Sequence, residues 1–543
     1  MRFISIPLCF LLALLPIGLT AQGESNGGIP ADQQFLPSIL EANPDASIFY
    51  NALNTTRLRD SLEQYIDPSY PAPGYDSTYA CLATTGNVAV HYATAYENYD
   101  NGQYQRVIWP EKRYFKYTVF VVSDSVLDCV YGVTDAEREN VVGKYTGVPG
   151  MSLKSYAKMI YDDPAHLNDN DAMVTSPLYK LMSYHILPCW LEYNLLNYRD
   201  SYVVNDYLDA CPDLVDMEDF YETMLPHAIM RISTPYDKGS GNNGKNIYIN
   251  RKGTVSAGNL ESEGIRIWNP SETPVLQRYA LNGGYYYVDS LLKFDQHTKN
   301  VLNTRIRVMF STLSPDFINS GARGRMRQSM GDRPTTFAVY SFKNGFCRNV
   351  SFAPGTLLGV RYMDRYWDIV NHDEVTVRGT YDISFKIPAV PESGFYEVRI
   401  GTNVPSSEYD RRNYGKILFY SRNQNDEFIP CASPVDMTIW PEDSRIGYVR
   451  DDDMSEQEIQ ANDKLMHSHG YMKYPDSYAT NGSILRSHPG CFRKIACEMY
   501  MEAGQDYYLR LKQLDNPTYI QLNFMEIVPY SIYSGENGPE DRH

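Results

Sequence analysis

The spacing of apolar residues changes part-way along this chain, and the change predicts two regions of different texture. From Ser47 onward, SIFYNALNTTRLRDSL places Ile48 and Ala52, then Leu58 and Leu62, four residues apart, the spacing of one helix face. KYTVFVVSDSVLDCV holds a β-branched and aromatic run over residues 117–122, with Ser123 or Asp124 after it as a helix cap, so a buried strand is predicted to turn into a helix. Thr134 and Glu137 have capping-box spacing, and Ser152 precedes a helical pattern through Ile160. In SPLYKLMSYHILP (176–188), Ser176 can cap and Pro177 fits the first helical position. Leu178, Leu181 and His185 then fall at i, i+3 and i+7 on one buried face. NIYIN (246–250) and YALNGGYYYVDSLLKF (279–294) read as strands, the second folded back at a tight Asn282-Gly283-Gly284 turn.

Beyond residue 297 the helical spacing nearly vanishes and short alternating runs replace it. In GFYEVRIGT, Tyr396, Val398 and Ile400 are expected to face a core while Glu397 and Arg399 face water. Tyr507, Leu509 and Leu511 repeat the pattern, and GKILFYSR, TYDISFKIP and YIQLNFMEIVP read as further strands. Many strands punctuated by Pro and Gly predict an all-β sandwich of jelly-roll type over 297–535, with a tail at 536–543. One helix interrupts it, opened by a Ser455–Glu458 capping box ahead of Ile459 and Met466.

The chain's 543 residues exceed one ordinary core, which agrees with two domains. MRFISIPLCFLLALLPIGLTAQ, with Arg2 before an apolar run, reads as an export signal over 1–21. Pro7 and Pro16 interrupt the run and no later segment approaches spanning length, so no membrane span is expected. Residues 22–45, small and polar with scattered Pro and Gly, read as a linker, and order is expected from Ser47. The Tyr-, Gly- and Asn-rich stretch 68–107 reads as an insertion. A net charge of −17, with no basic stripe among the aromatics, argues against nucleic acid as a partner. The 46 Tyr against 5 Trp suit strand-rich folds and wet binding surfaces.

Eight cysteines follow the signal, none in a C-x-x-C, so zinc-ribbon and thioredoxin chemistry is not expected. Cys491 and Cys497, if extended, lie about 20 Å apart, too far to bridge. GSGNNG (239–244) fits G-x-G-x-x-G, but a strand follows it where a dinucleotide site needs a helix, so it reads as a hairpin loop. His467, His469 and His488 could offer imidazoles to a metal, but spacing fixes no third ligand, and an exposed loop is preferred. Asp451, Asp452 and Asp453 lack calcium-loop spacing and are assigned to the dipole of the helix opened at Ser455. No cofactor is expected.

Three stretches, in order, resemble the fasciclin domain, a β-wedge with helices found in secreted and cell-surface proteins: YTVFVVSDSVL (117–127), LYKLMSYHILP (178–188) and ALNGGYYYVDSLL (280–292). The resemblance implies an α+β fasciclin-like domain over 46–296. Thr118, Phe120 and Asp124 match its first motif, Tyr184 and His185 its second, and Asn282 and Gly283 its closing strand pair, and such residues mainly hold the fold. The chain departs from the family at 68–107, near 189–220, and at Val122, where a proline is usual. The C-terminal half resembles the β-sandwich of carbohydrate-binding modules through YEVRIGT, YYLRLKQL and YIQLNFMEIVP, and the pairing is similar to a two-part exported bacterial arrangement.

These implications meet the residue-level reading at His185, a single histidine on an apolar helical face with no Asp at a fixed offset, so it is read as architecture and no catalytic residue is assigned. The expectation is therefore an exported cell-surface adhesion or binding protein, not an enzyme, that takes a glycan or a surface or matrix protein. Trp367 and Trp440 are the candidate ligand-binding aromatics. A glycoside hydrolase using two carboxylates, or a purely structural matrix protein, is the alternative.

Overall fold

The computed structural model describes residues 34–70, 94–98, 104–108, 112–128, 152–161, 170–193, 196, 216–235, 246–253, 260–272, 278–322, 338–362, 373–423, 425–475, 479–480, 483–515 and 518–534. The readings of 1–21 as a signal and 536–543 as a tail, the Thr134–Glu137 spacing, the GSGNNG loop and Trp367 lie outside these residues. The chain is a mixed α+β protein with several antiparallel sheets. Among the described residues no helix is long and apolar enough to cross a membrane.

The N-terminal half is built around a small sheet in the order Ile186–Leu187, Tyr117–Val121, Gly283–Tyr287, Tyr279–Ala280. Tyr117–Val121 and Gly283–Tyr287 run parallel, each buried along its whole length, which is why both read as unbroken apolar and aromatic runs. Helices Ser47–Thr55, Leu58–Leu62, Leu153–Ile160 and Pro177–Tyr184 put their apolar stripes into the same core. Ser152 and Ser176 cap the latter two by accepting from the amides of Ser155 and Tyr179. A four-stranded antiparallel sheet, Asp216–Glu222, Ile229–Pro235, Ile247–Ile249 and Ile265–Ile267, lies in the same half.

Two expectations change here. Within the stretch read as a linker, Leu36–Glu41 is a helix with Pro37 in its first turn, and Leu36, Ile39 and Leu40 are buried in the core. Three apolar side chains on one short helix outweigh the polar composition around them. Strands Thr94–Asn98 and Tyr104–Ile108, at the end of the stretch read as an insertion, join a sheet of the other half, where Tyr104–Ile108 pairs in parallel with Ala338–Phe342. That sheet continues through Thr356–Tyr362, Asp373–Gly379 and Thr518–Leu522.

The C-terminal half carries two more antiparallel sheets that share one apolar core. The first runs Ile306–Met309, Phe524–Pro529, Gly394–Asn403, Cys491–Met501, Tyr471–Lys473. The second runs Val350–Phe352, Asp382–Ile387, Tyr507–Gln513, Lys416–Asn423, Ile429–Pro430. Tyr507, Leu509 and Leu511 are buried and alternate with half-exposed neighbours, as their period of two requires. Glu397 and Arg399 depart from expectation: both are buried, because the face of the first sheet that carries them is covered as well. Cys491 and Cys497 lie on one strand and are unbridged. Helix Gln296–Leu302, capped by Asp295, straddles the expected boundary at 296/297, and Phe220 and Ile229 of the first half pack into the core of the second.

Gly283 shows how tightly the parallel pair is set. Its φ of +134° is open to glycine, and a Cβ there would lie 2.0 Å from the carbonyl oxygen of Tyr117. Gly283→Ala is therefore expected to destabilise the protein by more than about 3 kcal/mol in urea denaturation; a loss under about 1 kcal/mol would show that the two strands separate easily.

Candidate binding groove

Among the residues that carry the fasciclin resemblance is one buried imidazole. His185 ends helix Pro177–Tyr184 and is fully buried, edge-on to Phe49 with ring centres 5.3 Å apart. The amide N–H of Leu292 donates to Nε2 at 3.0 Å, so Nε2 is an acceptor and the proton sits on Nδ1, which donates to the Phe120 carbonyl at 2.7 Å. The amide of Phe120 returns a bond to the His185 carbonyl at 2.9 Å. Burial holds the imidazole neutral, down to about 4, against the Phe120 carbonyl bond that favours the cation.

The other motif residues close further backbone groups. Thr118 Oγ1 donates to the Cys189 carbonyl at 2.8 Å and accepts from the Leu191 amide at 2.9 Å. Tyr184 donates to the Ile229 carbonyl and accepts from Asn250, and burial pushes its phenol far up. Asn282 accepts from the Leu36 amide at 3.0 Å and donates to the carbonyls of Leu62 and Gln64. Ser123, not Asp124, caps its own short helix. Asp124 reaches back 77 residues and accepts from the amide and hydroxyl of Ser47 and, on its other oxygen, from the Ile48 amide, so it caps helix Ser47–Thr55.

In the C-terminal half, sequence reasoning missed a charged layer under the first sheet. Glu526, fully buried, receives Arg307 on Oε1 at 2.5 Å, Arg493 on Oε2 at 3.1 Å and Arg399 at 3.7 Å. Arg399 also pairs with Glu397, whose other oxygen meets His467 Nε2 at 2.9 Å. Burial pulls the Arg493 guanidinium down to about 10, with the other arginines adding to that and Glu526 opposing it. Around Glu526 the three guanidiniums outweigh the desolvation that would raise its carboxyl, and hold it well below the usual range.

His467 is therefore a helical residue in contact with Glu397 and not part of a loop: helix Glu456–Ser468 runs through it, and His469 instead bonds the Ile446 carbonyl. Asp451 is likewise not a helix-dipole residue, because its oxygens pair with Lys473 and Arg486, and Arg486 also holds Asp463. The helix is opened by the expected Ser455–Glu458 capping box. Among the described residues no group of His, Cys, Asp or Glu could hold a metal ion.

Tyr448, Tyr471 and Tyr474, which follow Trp440 in the chain, are buried residues, whereas the candidate Trp440 is half-buried at a surface groove of about 670 Å³. That volume falls among small-ligand sites of roughly 300–1,000 Å³, which a second cavity of about 190 Å³ between Cys189, Ile229, Val308 and Pro388 does not reach. The Arg411 guanidinium lies 5.1 Å from the centre of the Trp440 ring. It is fixed there by bonds to the carbonyls of Thr438, Pro405 and Ser406. The indole N–H donates to Glu442 at 3.1 Å. A Cβ on Gly490 would stand 3.5 Å from the indole ring, so the ring rests on bare backbone beside strand Cys491–Met501. Arg412, Arg445, Glu408, Asp436, Asp443 and Asp515 complete the charged lining.

Neither a protein-family model nor a curated protein matches this chain.

Two measurements follow from this geometry. Because the folded chain keeps His185 neutral down to about 4 while the unfolded chain titrates near 6.5, the unfolded state binds the extra proton, and stability falls as pH drops through that window. The loss from pH 7 to 4.5 is expected to be about 2–3 kcal/mol smaller in His185→Gln, read as the difference between the two proteins' denaturation free energies at each pH. Glu526→Gln is expected to cost about 3–5 kcal/mol at neutral pH, since it leaves three buried guanidiniums around a neutral amide; an unchanged urea midpoint would refute the network's structural role.

Proposed function

We propose that this chain is an exported surface protein that binds a glycan in the Trp440 groove, its N-terminal half a fasciclin-like frame and its C-terminal half a jelly-roll-like binding module. The observation that carries the reading is the groove itself: an indole held in place by Arg411 and ringed by polar side chains in an open cleft large enough for a sugar chain. Aromatic rings supply apolar area at small entropic cost, and carboxylates and guanidiniums around them fix the orientation of hydroxyl groups. The half that holds His185 supports a scaffold role, since that ring has both nitrogens bonded to backbone and no exposed surface.

The hydrolase alternative is less well supported by the same groove. A glycosidase needs one carboxylic acid held up as a proton donor. Here Arg445 holds the Asp443 carboxyl well below its usual range and Arg412 lowers Glu408.

Trp440→Ala is expected to weaken retardation of the protein in polysaccharide-containing native gels by at least about tenfold, the effect of removing an aromatic hot spot. Reducing-sugar release by the unaltered protein should stay at background. Release abolished by changing one groove carboxylate would overturn the binding reading in favour of the enzyme.

A further inference from the structure

The groove's charges are not equally available, and their pairing selects among glycans. Three guanidiniums line it, and each has a partner within the protein. Arg411 is bound to three backbone carbonyls, Arg412 pairs with Glu408 at 2.9 Å one helical turn away, and Arg445 makes two 2.8 Å bonds to Asp443. The four carboxylates are not all committed. Asp436 accepts from the Thr438 amide and hydroxyl on Oδ1 alone, and Asp515 accepts from the Lys416 amide on Oδ2 alone. The second oxygen of each takes no hydrogen bond from any described residue. Three arginines against Glu408, Asp436, Asp443 and Asp515 leave the lining one negative charge in excess, on a chain whose net charge is −17.

Resting on the glycan reading above, we infer that the groove takes a neutral, hydroxyl-rich glycan, with sugar hydroxyls donating to Asp436 and Asp515 beside the Trp440 ring, and excludes uronate-bearing or sulfated chains. Hydroxyl-to-carboxylate bonds are charge-assisted and short, so two open carboxylate oxygens are good acceptors for sugar hydroxyls. An acidic sugar would meet guanidiniums whose charge Glu408 and Asp443 already offset, Arg411 being held by backbone carbonyls. It would also enter a negative field. Because the recognised hydroxyls carry no charge, affinity should respond little to ionic strength.

The test is affinity electrophoresis of the full chain against three neutral polysaccharides (a mixed-linkage β-glucan, a mannan and a xylan), two acidic ones (polygalacturonate and chondroitin sulfate) and the polyamine chitosan. Retardation by at least one neutral polymer, changed less than about twofold between roughly 50 and 500 mM NaCl, and by neither acidic polymer, is the expected result. Asp436→Asn and Asp515→Asn keep an acceptor oxygen for Thr438 and Lys416 and so preserve the loops. Each should weaken the neutral interaction by about threefold or more. Retardation by an acidic polymer that fades with salt and is lost in Arg445→Ala, or binding confined to chitosan, would overturn the ligand class while leaving the groove a glycan site. Failure of all six polymers to retard the protein would instead remove the glycan reading together with this refinement.

Discussion

The C-terminal half depends on one constraint: a carboxylate with no access to water, Glu526, must stay ionised, and three guanidiniums on neighbouring strands keep it so. Arg399 sits on the sheet's central strand between the strands that carry Glu526 and Arg493, and Arg307 reaches in from the edge strand beside Glu526. Desolvating these groups is costly, and the strands must hold register for their attraction to offset it. Register is the consequence. Strands Gly394–Asn403, Cys491–Met501 and Phe524–Pro529 cannot slip by one residue without carrying a charge to the apolar face.

The groove grows directly out of that register. Strand Gly394–Asn403 leads into the loop whose Pro405 and Ser406 carbonyls hold Arg411, and the Val404 amide bonds the Gly490 carbonyl at 2.8 Å. Gly490 stands next to Trp440 and opens the neighbouring strand. The indole and its guanidinium therefore lie against the ends of two strands whose buried charges hold them in register.

What could be read from the chain divides according to how local its cause is. Ser152, Ser176 and the Ser455–Glu458 box are caps decided within four residues, and each was legible. So was the alternation of Tyr507, Leu509 and Leu511, since only one face of their strand meets the core. The same alternation misled at Glu397 and Arg399, because the second layer that buries them comes from distant segments, His467 in a helix and Glu526 near the C-terminus. Asp124 looked like a local cap and instead caps a helix 77 residues upstream. The helix Leu36–Glu41 was hidden by the polar residues around it, although its three buried side chains were visible in the sequence as apolar letters. Trp440 was legible as a candidate aromatic, but Arg411 beside it was not, since only the loop after strand Gly394–Asn403 brings the two together.

The two halves handle the same difficulty, buried polar chemistry, in opposite ways. Around His185 the solution is neutrality: a ring with one donor and one acceptor, each matched to a backbone group. Around Glu526 it is charge balanced against charge across three strands. A neutral ring asks little of its surroundings beyond two well-placed peptide groups, so it suits a small sheet closed by short helices. An ionised cluster demands fixed strand register over many residues, and long antiparallel strands can supply it. The demand for fixed strand register is thus greatest in the half that carries the groove, and least where His185 closes a core.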